Sequence, residues 1–183
     1  MKPLIDLEII TRNNPINKLG DNKKSGFEIN DNLLRFYFTF LYKNASALQM
    51  LGAEAFYDEY IAPVLTEFIS RRFEGICRDY FSLQVRAGKR RGVRNIGSYY
   101  YDDPVHRKNG EFDVVLEYAD GYEIYEAKYY AQPMTLDEIH REVRQVEAIR
   151  ELKVKQLGFI AINGFAEEES PYTYLNGKDI YAE

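Results

Sequence analysis

With 183 residues, 45% of them hydrophobic and 29% charged, the chain can fill one good-sized core or one domain with an appendage. Its net charge of −5 argues against a generally basic nucleic-acid coat. No apolar run approaches the ~20 residues that cross a bilayer, and one cysteine, Cys77, with two histidines permits no internal disulfide and argues against a structural zinc site.

The first thirty residues read as the tail of a helix, a short strand at about 8–12, a polar loop and a second short strand at 27–29. "MKPLIDLEII" is punctuated by acids and does not read as a signal peptide, so the expectation is a soluble, cytoplasmic protein with no membrane association. "INDNLLRFYFTFLYKN" (29–44) opens on Asp31 as a capping residue and continues into an aromatic-rich helix. From Ala53 to about Phe81 the pattern is helical, interrupted at Pro63; beyond it Leu65, Phe68, Ile69, Ile76, Tyr80 and Phe81 recur at helical spacing. Cys77 sits beside that stripe as a small hydrophobe.

Basic residues gather in "RAGKRRGVR" (86–94), where Lys89, Arg90, Arg91 and Arg94 are candidate nucleic-acid contacts through phosphate. The same run reads equally well as a solvated loop. "VRNIGSYYYDD" (93–103) is a strand in which Gly97 marks a bulge or a close backbone approach. Its Tyr99, Tyr100 and Tyr101 are either a base-stacking platform or, more often for strand tyrosines, packing residues. After a polar loop with Pro104 and Gly110 come "EFDVVLEY" and "YEIYEAKYY", joined through Asp120-Gly121 as a hairpin. "TLDEIHREVRQVEAIREL" (135–152) is an amphipathic helix with Thr135 and Glu138 as a capping box. "QLGFIAING" (156–164) is a buried strand, and the tail from Phe165 has no assigned element. The order from Pro63 is helix, strand, strand, strand, helix, strand, which predicts an α/β fold with a mixed sheet flanked by helices.

A two-residue Asp120-Gly121 turn sets Ala119 opposite Tyr122, Asp113 opposite Lys128 and Val115 opposite Glu126. Because side chains alternate faces and opposed residues share one, Asp113, Glu126 and Lys128 are expected on the same side of the sheet. Two carboxylates on adjacent strands suit Mg2+ (or Mn2+), which takes one or two carboxylates plus substrate phosphates and can polarise a phosphodiester. A lysine beside them can stabilise charge developing on phosphorus. Taken alone, the spacing equally fits a surface ion pair with no chemistry.

Element order and trio together resemble the restriction-endonuclease-like, or PD-(D/E)xK, nuclease superfamily. The core order over roughly 63–164 is similar, Asp113 matches the acid of the second strand, and "EAK" matches the E-x-K of the third. Glu-Phe-Asp stands here where many members have Pro-Asp. The resemblance implies divalent-metal-dependent hydrolysis of nucleic acid, with Asp113, Glu126 and the Ala127 carbonyl holding the metal and Lys128 activating water. It also implies a supporting role for Glu74 on the first helix, and for an auxiliary polar residue on the second, with His140, Arg144 and Gln145 as candidates. A narrower resemblance rests on "FEINDNLLRFYFTFLYKN", "FEGICRDYF", "IGSYYY", "EFDVVLEY" and "YEAKYY". These are similar to the C-terminal domain found behind AAA-type P-loop ATPases of archaea and some bacteria, where a winged-helix module comes first. That implies three parts: a winged-helix remnant at 1–30, a helical packing segment at 31–62, and a nuclease-like domain at 63–183. DNA is the expected substrate with RNA still open, and an upstream ATPase is the expected partner. No G-x-x-x-x-G-K-[ST] loop occurs in this chain. The rival reading keeps the scaffold as a regulatory module that grips nucleic acid or protein without cutting.

Overall fold

The computed structural model describes residues 2–103, 108–150 and 152–182; Pro104, expected in a loop, lies outside them. The chain divides into two compact units, Met1–Asn14 with Gly20–Ile69, and Pro15–Leu19 with Ser70–Glu183.

In the first unit a short helix α1 (Lys2–Asp6) precedes two antiparallel strands, β1 (Ile10–Asn13) and β2 (Gly26–Ile29), which pair Ile10 with Ile29. Helix α2 (Asn32–Phe36) starts where expected, its Asp31 carboxylate accepting from the Leu34 N–H at 2.7 Å. It widens into a π-turn at Tyr37–Leu41 and tightens to a 3-10 turn at Tyr42–Asn44 before α3 (Ala45–Phe56). Gly52, at φ 76°, kinks α3, a backbone state that glycine adopts without steric cost. A second π-turn at Tyr57–Ile61 runs on in helical backbone into α4 (Ala62–Arg86), so the α-helical ladder is interrupted just before Pro63, as expected of a residue with no N–H to give. Phe40, Phe56 and Ile61 form this unit's core, with Phe36, Leu65 and Phe68 against them.

The second unit is built on five strands in the order β3 (Asn95–Asp103), β4 (Lys108–Glu117), β5 (Tyr122–Lys128), β6 (Val154–Ala161) and β7 (Thr173–Asn176). The first three are antiparallel and the last three parallel, a mixed sheet. Helix α5 (Leu136–Glu147) is the crossover between β5 and β6, as a parallel pair requires. On one face Phe73, Cys77 and Phe81 of α4 pack on Val114, Leu116, Tyr125, Ala127 and Ile160. Ile76, predicted inward, is 36% exposed, because the buried stripe runs through 73, 77 and 81 at i, i+4 spacing. On the other face Val146 meets Phe112, Val115 and Ile124, while Ile139 and Val143 meet Phe159 and Ala161. Each fully buried Val, Leu, Ile or Phe among them contributes ~1.5–3 kcal/mol relative to staying exposed.

The capping box on α5 is complete: the Thr135 N–H donates to Glu138 Oε2 at 2.8 Å, and the Glu138 N–H to Thr135 Oγ1 at 3.4 Å. The helix ends at Glu147, short of the expected 152. The unassigned tail supplies β7, parallel to β6, and a short helix α6 (Gly177–Tyr181) capped by Asn176. Among the described residues no helix is long and apolar enough to cross a membrane.

The expected two-residue turn is not what joins β4 to β5. Glu117 faces Tyr122, and Tyr118–Gly121 form a four-residue loop closed by the Tyr118 N–H on the Gly121 carbonyl at 2.9 Å. Contacts from the start of β6 override the Asp-Gly signal. Lys155 Nζ holds the Asp120 carboxylate at 2.7 Å and lies 4.6 Å over the Tyr118 ring, and a Cβ on Gly121 would meet the Lys153 carbonyl at 2.5 Å. The register moves by two residues. Two is an even number, so every side chain keeps its face.

Candidate active site

One step beyond the last pair, Val114 with Tyr125, Asp113 and Glu126 stand opposite each other, where the expected partner of Asp113 was Lys128. There the sheet forks. From Glu126 to Lys128, β5 pairs with Phe159–Ala161 of β6, while the part of β4 before Asp113 pairs with β3. The fork begins at a β-bulge: Gly97 pairs with Val115 and Tyr99 with Phe112, so Asp113 and Val114 together oppose Ser98. A bulge adds twist and re-aims a side chain. Gly97 also bears out the close approach expected of it, since a Cβ there would sit 2.7 Å from Ile16 Cγ2.

In the opening, Asp113 Oδ2 accepts from the Ala127 N–H at 3.3 Å, and Arg78 Nη1 of α4 donates to the Asp113 carbonyl at 2.7 Å. Lys128 Nζ donates to Glu126 Oε1 at 2.5 Å. The structure thus brings Asp113, Glu126 and Lys128 together.

Burial holds the Asp113 carboxyl above its ordinary range, against the pull of Lys128 and the Ala127 N–H. Glu126, buried at 8% exposure, is pushed up to about 8 by burial first and by the facing Asp113 second, with Lys128 opposing. Lys128 is raised by its carboxylate neighbours, Glu126 foremost, against the opposing effect of burial. Glu74, one turn before Arg78 on α4, rises to about 7 through burial and then Asp113, which brings it into the same electrostatic cluster. The excess here is of buried carboxylate over ammonium. A divalent cation held by one or two oxygens suits such a donor set, with water and phosphate completing its shell. Among the described residues there is no group of three or more His, Cys, Asp or Glu side chains spaced to hold a metal by themselves.

Other candidates lie elsewhere. The basic run follows α4 at the closed end of the hairpin, where the Arg94 N–H bonds the Glu117 carbonyl at 2.7 Å. That end is four residues along β5 from Glu126, roughly 13 Å at ~3.3 Å per residue. Lys89, Arg91 and Arg94 are exposed, but the Arg90 guanidinium is drawn inward onto Glu123, the Tyr125 hydroxyl at 3.2 Å and the Phe81 ring at 4.8 Å. Tyr101 stacks on Phe112 at 4.7 Å and Tyr99 meets Tyr122 at 5.2 Å, so both pack. On α5, His140 pairs with Glu169 at 2.9 Å. The residue of α5 that reaches the site is Glu142, whose Oε1 lies 3.8 Å from Lys128 Nζ. The signal was present: Glu142 interrupts the apolar stripe of Ile139, Val143 and Val146.

Residues 37–146 match DUF234, a family described as archaea bacterial proteins of unknown function. The chain belongs to this family. The match takes in Glu74, Asp113, Glu126, Lys128 and Glu142, so the forked site lies inside the DUF234 region. An uncharacterized protein of Methanocaldococcus jannaschii, MJECL04, is 31% identical over 81 residues, which is 44% of this chain and 18% of that protein. A solved protein of unknown function, AF1548, aligns at 13% identity and a TM-score of 0.40 over 59% of this chain and 60% of its own. The chain therefore spans a minor part of the first relative's length.

Proposed function

We propose that this domain hydrolyses phosphodiester bonds of nucleic acid, DNA before RNA, with Mg2+ or Mn2+, in the manner of the PD-(D/E)xK nucleases it resembles. The observation that carries the reading is the fork, which gathers the buried Glu126, the half-buried Asp113 and an ammonium where β4 leaves β5. Asp113, Glu126 and the Ala127 carbonyl would hold the cation, with Glu74 adding an oxygen at the margin. When bound, the cation would polarise the phosphate and increase the acidity of the attacking water. Lys128 donates hydrogen bonds to charge gathering on the phosphate as the water oxygen bonds to phosphorus and the bond to the leaving oxygen breaks. With a pKa of about 7, the Glu74 carboxyl can exchange a proton near neutrality. The upstream ATPase belongs to the same proposal, supported by the narrower resemblance and by α1, β1 and β2 standing where a winged-helix remnant was expected.

The experiment is incubation with plasmid or oligonucleotide and Mg2+ or Mn2+. Cleavage is expected, and its loss in EDTA and in Lys128→Ala; persistent cleavage in either would overturn the assignment. A binding module that does not cut is favoured by two observations: Arg90 is withdrawn from solvent, and the basic run lies away from the acids. Titration with Mn2+ separates the readings, since a silent module takes up no cation in wild type or in Asp113→Asn.

A further inference from the structure

Glu142 lies on the face that α5 buries, among Ile139, Val143 and Val146, and is itself only 8% exposed. A carboxylate there is tolerated only where charge meets it. Two cations do. Arg141 Nη2, from the neighbouring position, stands 3.6 Å from Glu142 Oε1, and Lys128 Nζ stands 3.8 Å from the same oxygen. Lys128 meanwhile donates to Glu126 at 2.5 Å. One ammonium thus stands between two buried carboxylates from different elements, seated on the β5 acid and within a short swing of the α5 acid.

We infer that Glu142 is a positioning residue: it receives the Lys128 ammonium when Glu126 is withdrawn from it, as by a divalent cation. The cation part rests on the function proposed above. An ammonium has three donors and no acceptor, so a cation on the Glu126 carboxylate repels it and weakens its hold there. Without another acceptor in reach, Lys128 would either oppose the cation or leave for solvent. Glu142 removes that choice. It holds the released ammonium beside the fork, still able to reach a phosphate, and the molecule loses no net ion pairing. Arg141 keeps Glu142 partnered while Lys128 is on Glu126.

The test uses the 183-residue chain and Mn2+ alone, by isothermal titration calorimetry. Glu142→Gln should weaken Mn2+ binding about tenfold, as loss of an outer-shell partner does. Glu142→Asp should recover most of it. In a Lys128→Ala background the same Glu142→Gln change should move Kd less than about twofold, because the pair no longer exists to be coupled. Equal weakening in both backgrounds, or none in the wild-type background, overturns the inference. Should wild type take up no Mn2+, the cation reading fails, and the inference is judged on metal-free Glu126→Gln protein. There Lys128 has already lost its first carboxylate. Glu142→Gln should then lower Tm by several degrees, and Lys128→Ala should abolish that difference. Absence of this coupling overturns the inference on its own.

Discussion

Asp113 owes its position to a strand irregularity. In a regular β4 it would be one more rung of the ladder; the bulge opposite Ser98 leaves its carboxylate free to reach the Ala127 N–H. The cost shows in the charges. Glu74 and Glu126 have folded-state pKa values near 7 and 8, above the ordinary 4.5, so folding favours their protonated forms. The stability from that preference is complete below about pH 4.5 and is lost as pH rises through the folded values. Metal-free protein should therefore lose Tm steadily between about pH 5 and 8, and Mg2+ should flatten the slope by favouring the ionised forms. Thermal scans in EDTA across that range are the check, with Glu74→Gln expected to flatten the curve as well. A Tm that climbs from pH 5 to 8 would contradict the assignment of these shifts.

Among elements, α4 is tied to the β4 bulge by packing on Val114 and by a charged hydrogen bond, Arg78 Nη1 to the Asp113 carbonyl. Arg78→Met keeps much of the side-chain volume and removes the donor. It should cost ~1.5–3 kcal/mol in urea denaturation, the usual worth of a hydrogen bond to a charged group. It should also weaken Mn2+ binding, because the fork loses its brace; a variant that loses stability but keeps its full affinity would confine Arg78 to packing. Between β5 and β6 the constraint is steric. A Cβ at Gly158 would fall 2.5 Å from the Tyr125 ring and 2.9 Å from the Thr173 carbonyl. Gly158→Ala should destabilise by ~1–3 kcal/mol through overpacking.

At the scale of the whole molecule the exposed concern is an edge strand. β3 ends the five-stranded sheet, and such an edge invites pairing with another chain. Asn17 closes part of it. Its side-chain amide donates to the Tyr100 carbonyl at 2.7 Å and accepts from the Tyr100 N–H at 3.0 Å, standing in for a neighbouring strand, while Ile16 enters the core beside it. Asn17→Ala should remove this cover from both groups and produce concentration-dependent association, read by light scattering after gel filtration. A monodisperse variant at every concentration would show that the edge needs no such cover.

Up to β6, element types and order were legible in the sequence because they rest on neighbours along the chain, while β7 and α6 in the tail were not. The 3.6 period and the Thr135–Glu138 box placed α5, and alternation placed β4 and β5. The shared face of Asp113, Glu126 and Lys128 also survived the wrong turn, since a shift of two residues preserves parity. The bulge was legible at Gly97 as one of two readings of that glycine, but register and fork were not. They depend on Lys155 taking Asp120, Gly121 lying against the Lys153 carbonyl and Ile16 pressing on Gly97, all contacts between residues far apart in sequence. The fate of individual charges was decided the same way. Nothing local distinguishes Arg90, drawn onto Glu123 and Tyr125, from exposed Arg91, or shows that Glu142 faces an ammonium from another element. Local periodicity sets which residues make a strand or helix, whereas a charge's partner is set by which distant element packs over it.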